Sequence, residues 1–206
     1  MVGDLPRRVI KVGGSLLDFP PTRERLRRWL APPSQTRNIL LAGGGQLVNR
    51  IRDWHRMGHI GEERAHWMSV ECMSLTAHLL QRWLGAPLIR HPDQLDSNPA
   101  PNVVVDVQLW LRNEVDMPVG WSLTSDSIAA GLAVHLDASE LILLKSRTVF
   151  PGTNSVQSLI EDGTVDGQFG RYSQKVKSIG LVNFRNAYSD IVYLPRPGFS
   201  VSKNPT

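Results

Sequence analysis

Short apolar runs alternate along this chain with longer stretches in which apolar residues recur every three or four positions. Arg7 to Val12, Asn38 to Ala42, Pro87 to Arg90, Asn102 to Val107, Val119 to Leu123, Glu140 to Lys145 and Ser189 to Leu194 read as strands. Thr22 to Leu30, Gln46 to Met57, Glu62 to Leu84 and Asp126 to Leu136 have helical spacing, and Ser155 to Glu161 is a shorter helical candidate. In the longest of these, Trp67, Val70, Met73, Ala77, Leu80 and Trp83 fall near one face. Strands alternating with helices predict an α/β fold whose mainly parallel sheet is covered on both sides. Ligands bind such sheets outside the carboxyl ends of the strands. Lys11, Gly43 to Gly45, Asp126 and Lys145 all fall at or just past a predicted strand end, so one sheet edge gathers them.

Composition narrows this picture only a little. At 206 residues, 41% hydrophobic and 20% charged, the chain suits one globular domain with a real core. No apolar run approaches the roughly 20 residues that span a bilayer, and the N-terminus shows no signal-peptide core, so no membrane partner and a cytoplasmic location are expected. The lone Cys72 cannot form an internal disulfide and is expected to be a buried, inert thiol. The net charge of +4 concentrates in arginines near the N-terminus, several of them alternating with apolar residues on a predicted helix. That is a solvated helix face, and no nucleic-acid motif accompanies it. Pro195 to Thr206 reads as a mobile tail.

Candidate chemistry sits in two strand-to-glycine junctions and one helix start. Gly13-Gly14-Ser15 and Gly43-Gly44-Gly45 each follow a strand, where a glycine turn either closes tightly or brings backbone N–H groups to a phosphate. The Walker pattern is absent, and Val48 occupies the third glycine position of a dinucleotide fingerprint. Lys11 and Lys145 each end an apolar strand, where a lysine either reaches solvent or meets a fixed anion. Thr124-Ser125-Asp126-Ser127 opens a helix. Thr124 or Ser125 can cap it, which leaves Asp126 free to orient lysines or accept a metal. His55 and His59 have metal-ligand spacing but no evident third ligand. Arg52 has the chemistry to hold an acidic acceptor, and His66 begins the long helix facing the glycine-rich edge. The six tryptophans are assigned to core or interface.

Lys11-Val-Gly-Gly-Ser15, Ala42-Gly-Gly-Gly45, Asp126 with its following Ile-Ala-Ala-Gly-Leu-Ala, and Leu141-Ile-Leu-Leu-Lys145 resemble the amino acid kinase superfamily, over most of the chain up to about residue 150. That resemblance implies a three-layer αβα sandwich with a shortened C-terminal part. It implies a phosphotransferase that moves the γ-phosphate of ATP, with Mg²⁺, to a phosphate or carboxylate acceptor, and that forms homo-oligomers. Residues 1–115 would bind the acceptor and 116–206 the nucleotide, within one domain. A narrower resemblance rests on Ala65-His-Trp-Met68, Trp121-Ser-Leu-Thr-Ser-Asp-Ser127 and the short length. It is to the small kinase of methanofuran synthesis and its bacterial one-carbon-metabolism relatives, whose acceptor is an aminomethyl-furan-methyl phosphate.

Carried over by position, Lys11, Asp126 and Lys145 would be catalytic. Gly13, Gly14, Ser15, Thr124, Ser125 and Ser127 would bind phosphate or nucleotide, and Gly43, Gly44, Gly45, Arg52 and His66 the acceptor; no metal ligand is assigned. After Lys145 the family continues into Val-Asp-Gly, whereas this chain has Ser146-Arg-Thr-Val-Phe-Pro151. Lys175 and Lys177 are the late lysines available for a second catalytic role. A kinase-fold protein without catalysis, binding a metabolite or serving as a partner subunit, is the rival expectation.

Overall fold

The computed structural model describes residues 5–31, 35–113, 116–148 and 155–195. In chain order the elements are β1 (Arg7–Val12), α1 (Thr22–Trp29), β2 (Arg37–Ala42), α2 (Gly45–Arg56), α3 (Glu62–Leu84), β3 (Leu88–Ile89), β4 (Asn102–Val105) and α4 (Gln108–Asn113). They continue as α5 (Ser125–His135), β5 (Glu140–Lys145), α6 (Val156–Glu161), α7 (Phe169–Ser173), β6 (Ile179–Asn183) and β7 (Val192–Tyr193).

All seven strands form one sheet in the order β3-β4-β2-β1-β5-β6-β7, parallel except for β7 against β6. The order reverses about β1, which pairs with β2 on one side and β5 on the other. Diverging connections open a crevice at such a switch point, at the carboxyl end of β1. Side-chain alternation divides the core in two. Val9, Ile39, Leu41, Leu141 and Leu143 face one layer with α5, while Ile10, Leu40, Ile142 and Leu144 face the other with Leu26 of α1. Helix α3 serves both, through Val70 and Met73 on one side and Ala77 and Leu80 on the other. Helices thus cover both faces, as an αβα sandwich requires.

Three elements escaped the periodicity, and one expected strand is not there. Helices α4 and α7 are too short to repeat a pattern. Strand β6 contains Gly180, which weakens the strand pattern; an added Cβ there would meet the Ile191 and Ile142 side chains, the latter at 2.7 Å, and both would have to shift. Val119 to Leu123 is a turn rather than a strand. Gly120 has φ +144°, Val119 is nearly half exposed, and the segment is held by side chains of α3 instead of a ladder. Cys72 is half-buried rather than buried; its burial and nearby Glu71 push the thiol above its ordinary value. The expected tail beyond residue 195 and the 115/116 division touch residues outside the described ones. Among the described residues, no helix is long and apolar enough to cross a membrane.

Candidate functional site

Lys11 pairs with Leu143 across the β1–β5 ladder, so Lys11 and Lys145 continue the same face, the one covered by α5. Asp126 sits in the first turn of α5 and meets both. Lys11 Nζ lies 2.9 Å from Asp126 Oδ1, and Lys145 Nζ lies 2.7 Å from Oδ2. Lys145 also donates to the Thr164 carbonyl at 2.6 Å. All three side chains are buried. Burial alone would raise the Asp126 carboxyl, but the Lys11 and Lys145 charges hold it below the usual carboxylate range. Burial, with the Lys11 charge, pushes Lys145 down from 10.5 to about 8, against the pull of Asp126 and Asp166. Two ammonium groups share one carboxylate here. With Asp166 acting on Lys145 only from further off, the contacts within the cluster leave a surplus positive charge that reaches the cavity through Lys11, and an arriving anion would balance it.

The two glycine loops lie back to back above this cluster. A Cβ on Gly14 would clash with Gly45 N and reach Gly45 Cα at 2.7 Å; one on Gly43 would come within 2.9 Å of Gly14 N. Gly45, the first residue of α2, has φ +63°. The N-terminus of α2 has no side-chain cap, so its first amides are open to a ligand. Gly13 plays another part: its amide donates to Leu144 O at 2.9 Å and ties the first loop to β5.

A cavity of about 480 Å³ opens over these loops, within the usual range for a small-molecule site. Of the sequence-selected residues, Lys11, Gly14, Ser15, Gly43, Gly44, Gly45, Arg52, His66, Thr124 and Ser125 line it. Gly13, Asp126, Ser127 and Lys145 stand behind its wall. Lys145 is thus placed to support Asp126 rather than to face the cavity. Lys175 and Lys177 are elsewhere: Lys177 pairs with Asp137 at 2.7 Å, and Lys175 is exposed away from the cavity.

Three further residues belong to the site: Asp166 and Arg185 carried no readable sequence signal, and Trp121, quoted in the Trp121 to Ser127 motif but assigned to core or interface, stands on the cavity wall instead. Asp166 takes over the capping of α5: it accepts from the Thr124 amide at 3.1 Å, the Thr124 hydroxyl at 2.7 Å, the Ser127 amide at 3.1 Å and the Ser127 hydroxyl. The hydroxyls of Thr124 and Ser127 are therefore committed donors, while Ser125 remains on the cavity wall. Trp121 also lines the cavity. The Arg52 guanidinium lies 5.2 Å from its ring centre, and Glu62 accepts from its amide at 3.0 Å. Arg185, in the loop after β6, reaches the cavity beside Ser15, whose carbonyl is 3.4 Å from the guanidinium. His55 turns its ring nitrogen to the Ile60 carbonyl and its face to Trp121. Among the described residues no cluster of three His, Cys, Asp or Glu side chains is arranged to hold a metal ion.

No protein-family model matches the chain, and no curated protein matches it in sequence. Solved structures do match in fold. The UMP kinase of Ureaplasma parvum superposes with a TM-score of 0.66 at 13% identity, over 90% of this chain and 93% of that one. The uridylate kinase of Archaeoglobus fulgidus gives 0.59 at 18% identity, over 92% and 91%. The aspartate kinase of Synechocystis gives 0.65 at 13% identity; 94% of this chain spans 40% of that larger protein. The chain has the amino acid kinase fold that these proteins share.

Proposed function

We propose that this protein is an ATP-dependent small-molecule kinase, transferring the γ-phosphate to a phosphate or carboxylate acceptor bound in the main cavity. The observation that carries the reading is the buried Lys11–Asp126–Lys145 cluster, with its surplus positive charge, at the floor of a cavity walled by two glycine loops. Phosphoryl transfer depends on positioning and on neutralising charge at the moving group, and this arrangement supplies both. The fold shared with UMP, uridylate and aspartate kinases supports it.

In this reading an oxygen of the acceptor anion forms the new bond to the γ-phosphorus, the bond to the bridging oxygen of ATP breaks, and ADP leaves. An ionised phosphate or carboxylate needs no base to deprotonate it. That agrees with a site whose one central carboxylate, Asp126, is locked between lysines. Lys11 neutralises the transferring group, and the amides at Gly44 and Gly45 cradle the acceptor side. Asp126 holds Lys11 in place before substrates arrive, and Lys145 holds Asp126. Arg185 and Ser15 lie toward the nucleotide. Mg²⁺ would be carried on the nucleotide phosphates and would supply charge neutralisation there.

The finer reading, an aminomethyl-furan-methyl phosphate converted to its diphosphate, is supported by the cavity's size and by Trp121 beside Arg52, a flat surface next to a cation. Homo-oligomerisation belongs to the same reading, supported by Leu47, Leu75 and Leu79 exposed on α2 and α3. Neither nucleic acid nor membrane has a part in it. The rival, a kinase-fold protein without catalysis, draws on Ser146-Arg147-Thr148 standing where nucleotide-binding relatives differ.

Calorimetric titration of Mg-ATP, with Asp126→Asn as control, separates the two. Saturable binding weakened in the variant, followed by phosphate transfer to the furan phosphate, supports the kinase. No nucleotide binding, with or without that acceptor, overturns it.

A further inference from the structure

His66 occupies an unusual position for a cavity residue, because its protonation pattern can be read from its surroundings. Its Nδ1 lies 3.2 Å from the Gly120 carbonyl oxygen. A carbonyl only accepts, so Nδ1 carries the proton in that contact. A neutral imidazole then has a bare lone pair at Nε2. Burial holds the ring below its ordinary pKa; the Gly120 hydrogen bond opposes this, nearby Arg112 adds to it, and Glu62 opposes it more weakly. The side chain is buried against protein on most sides and lines the main cavity, and among the described residues Nε2 has no hydrogen-bond partner. The Ser69 hydroxyl, three residues on, donates to Ala65 O at 2.7 Å, so toward the cavity it too offers lone pairs.

Apart from the Asp18 carboxylate, the charged and apolar groups on the rest of the cavity wall have the opposite character. Lys11, Arg52 and the uncapped amides of α2 present donors and positive charge. Val70, Met73, Leu123 and Ile128 supply apolar wall. Gly44 packs near the Ser69 carbonyl, which places His66 a helical turn beyond the glycine loop along α3. A phosphate or carboxylate set against His66 would face a lone pair with its own lone pairs. It would leave that end unpaired and the cationic end unused.

We propose that His66 determines acceptor specificity, its Nε2 accepting a hydrogen bond from an N–H or O–H group on the acceptor. The acceptor class is then an anion at one end, an apolar middle and a hydrogen-bond donor at the other. This rests on the main cavity being the acceptor site. An acceptor without the donor leaves a desolvated lone pair unsatisfied, and sites built around such a group reject the analogue strongly.

The test uses three furan-2-ylmethyl phosphates that differ at carbon 5: aminomethyl, hydroxymethyl and methyl. Each is titrated into the full chain and into His66→Leu and His66→Gln. The wild-type protein is expected to bind one or both donor-bearing phosphates at least tenfold more tightly than the methyl compound, and which one wins identifies the donor. His66→Leu should reduce the preference to under twofold, and His66→Gln, which keeps an acceptor oxygen, should restore part of it. Equal binding of all three by wild type, or an undiminished preference in His66→Leu, overturns the inference while leaving the cavity reading intact. Binding of none of the three removes the cavity reading and the inference with it. Because His66→Leu also removes the hydrogen bond to the Gly120 carbonyl, long-range ¹H–¹⁵N NMR of the wild-type protein provides a second measurement. Nδ1 should be protonated and Nε2 bare, with the Nε2 signal moving on addition of the favoured donor-bearing phosphate and not of the methyl one. The opposite tautomer, or a doubly protonated ring at neutral pH, overturns the inference.

Discussion

Asp166 and Thr124 are joined twice: the carboxylate accepts the Thr124 amide at 3.1 Å and its hydroxyl at 2.7 Å. The same carboxylate takes the amide and hydroxyl of Ser127, so a residue remote in sequence performs the capping that Thr124 or Ser125 was expected to perform. Asp126, in the first turn of the helix, is thereby freed from the backbone and given to the lysines. Replacing Asp166 with Ala removes a cap and strands the fully buried Ser127 hydroxyl. We expect a loss of about 2 kcal/mol in urea unfolding, with Asp166→Asn losing less because one acceptor oxygen remains. Unchanged stability in Asp166→Ala would show that water replaces the clamp.

Lys11 and Asp126 should part company when activity and stability are measured together. Lys11→Ala is expected to lower phosphate transfer roughly a hundredfold or more, the scale of losing one group that stabilises developing charge. Its fold should be no less stable, since Lys145 and Asp126 then form a balanced pair. Asp126→Asn leaves two buried ammonium groups without their counter-charge, a change on the order of 3 kcal/mol or more against folding. Near-normal turnover in Lys11→Ala would remove that lysine from the mechanism. A destabilised Lys11→Ala beside an undisturbed Asp126→Asn would invert the charge argument.

Gly14 is constrained by the opposite loop. Its Cβ position clashes with Gly45 N and lies 2.7 Å from Gly45 Cα, and both are backbone that cannot swing aside. Gly14→Ala should therefore force the loops apart, lowering stability by about 1–3 kcal/mol and weakening nucleotide binding together. Gly61→Ala is the control, because nothing lies within 4 Å of the added atom and the backbone is extended there. Equal melting temperatures for the two variants would show that the loops are not packed as described.

Much of this arrangement was legible in the chain, for a definite reason. A lysine ending an apolar strand is conspicuous, and alternation along β1 and β5 puts Lys11 and Lys145 on one face once the strands pair. Glycine runs after strands are equally plain. Asp166 and Arg185 were not legible, and Trp121 was assigned to core or interface rather than to the cavity, because each acts from a segment without periodicity and through contacts that only the folded chain creates. Val119 to Leu123 misled for a related reason. Its composition suits a strand, yet Gly120 is held at φ +144° by Glu62 and His66, an interaction with a helix far earlier in sequence. The Asp126 environment shows the same limit: the sequence offers a helix cap, and tertiary contact converts it into a charge organiser.

Lys145 makes the site sensitive to mild alkali. Its ammonium has a folded-state value of about 8, against 10.5 for an ordinary lysine. Below pH 8 the cluster with Lys11 and Asp126 carries its surplus positive charge; above it, Lys145 loses its proton and the surplus disappears. An anion prefers the charged cluster, so Mg-ATP affinity should hold steady from pH 6.5 to 7.5 and decline through pH 8 to 9. Stability moves the other way. Between about pH 8 and 10.5 the unfolded chain keeps a proton on Lys145 that the folded chain has released, so this group's contribution to folding becomes more favourable as pH rises through the window. In Lys145→Met the affinity should be lower throughout and flat across pH 8, which titration calorimetry at several pH values reads directly. A wild-type affinity that stays level to pH 9.5 would mean that Asp126 and Asp166 keep Lys145 charged, and that the site's surplus charge does not titrate in this range.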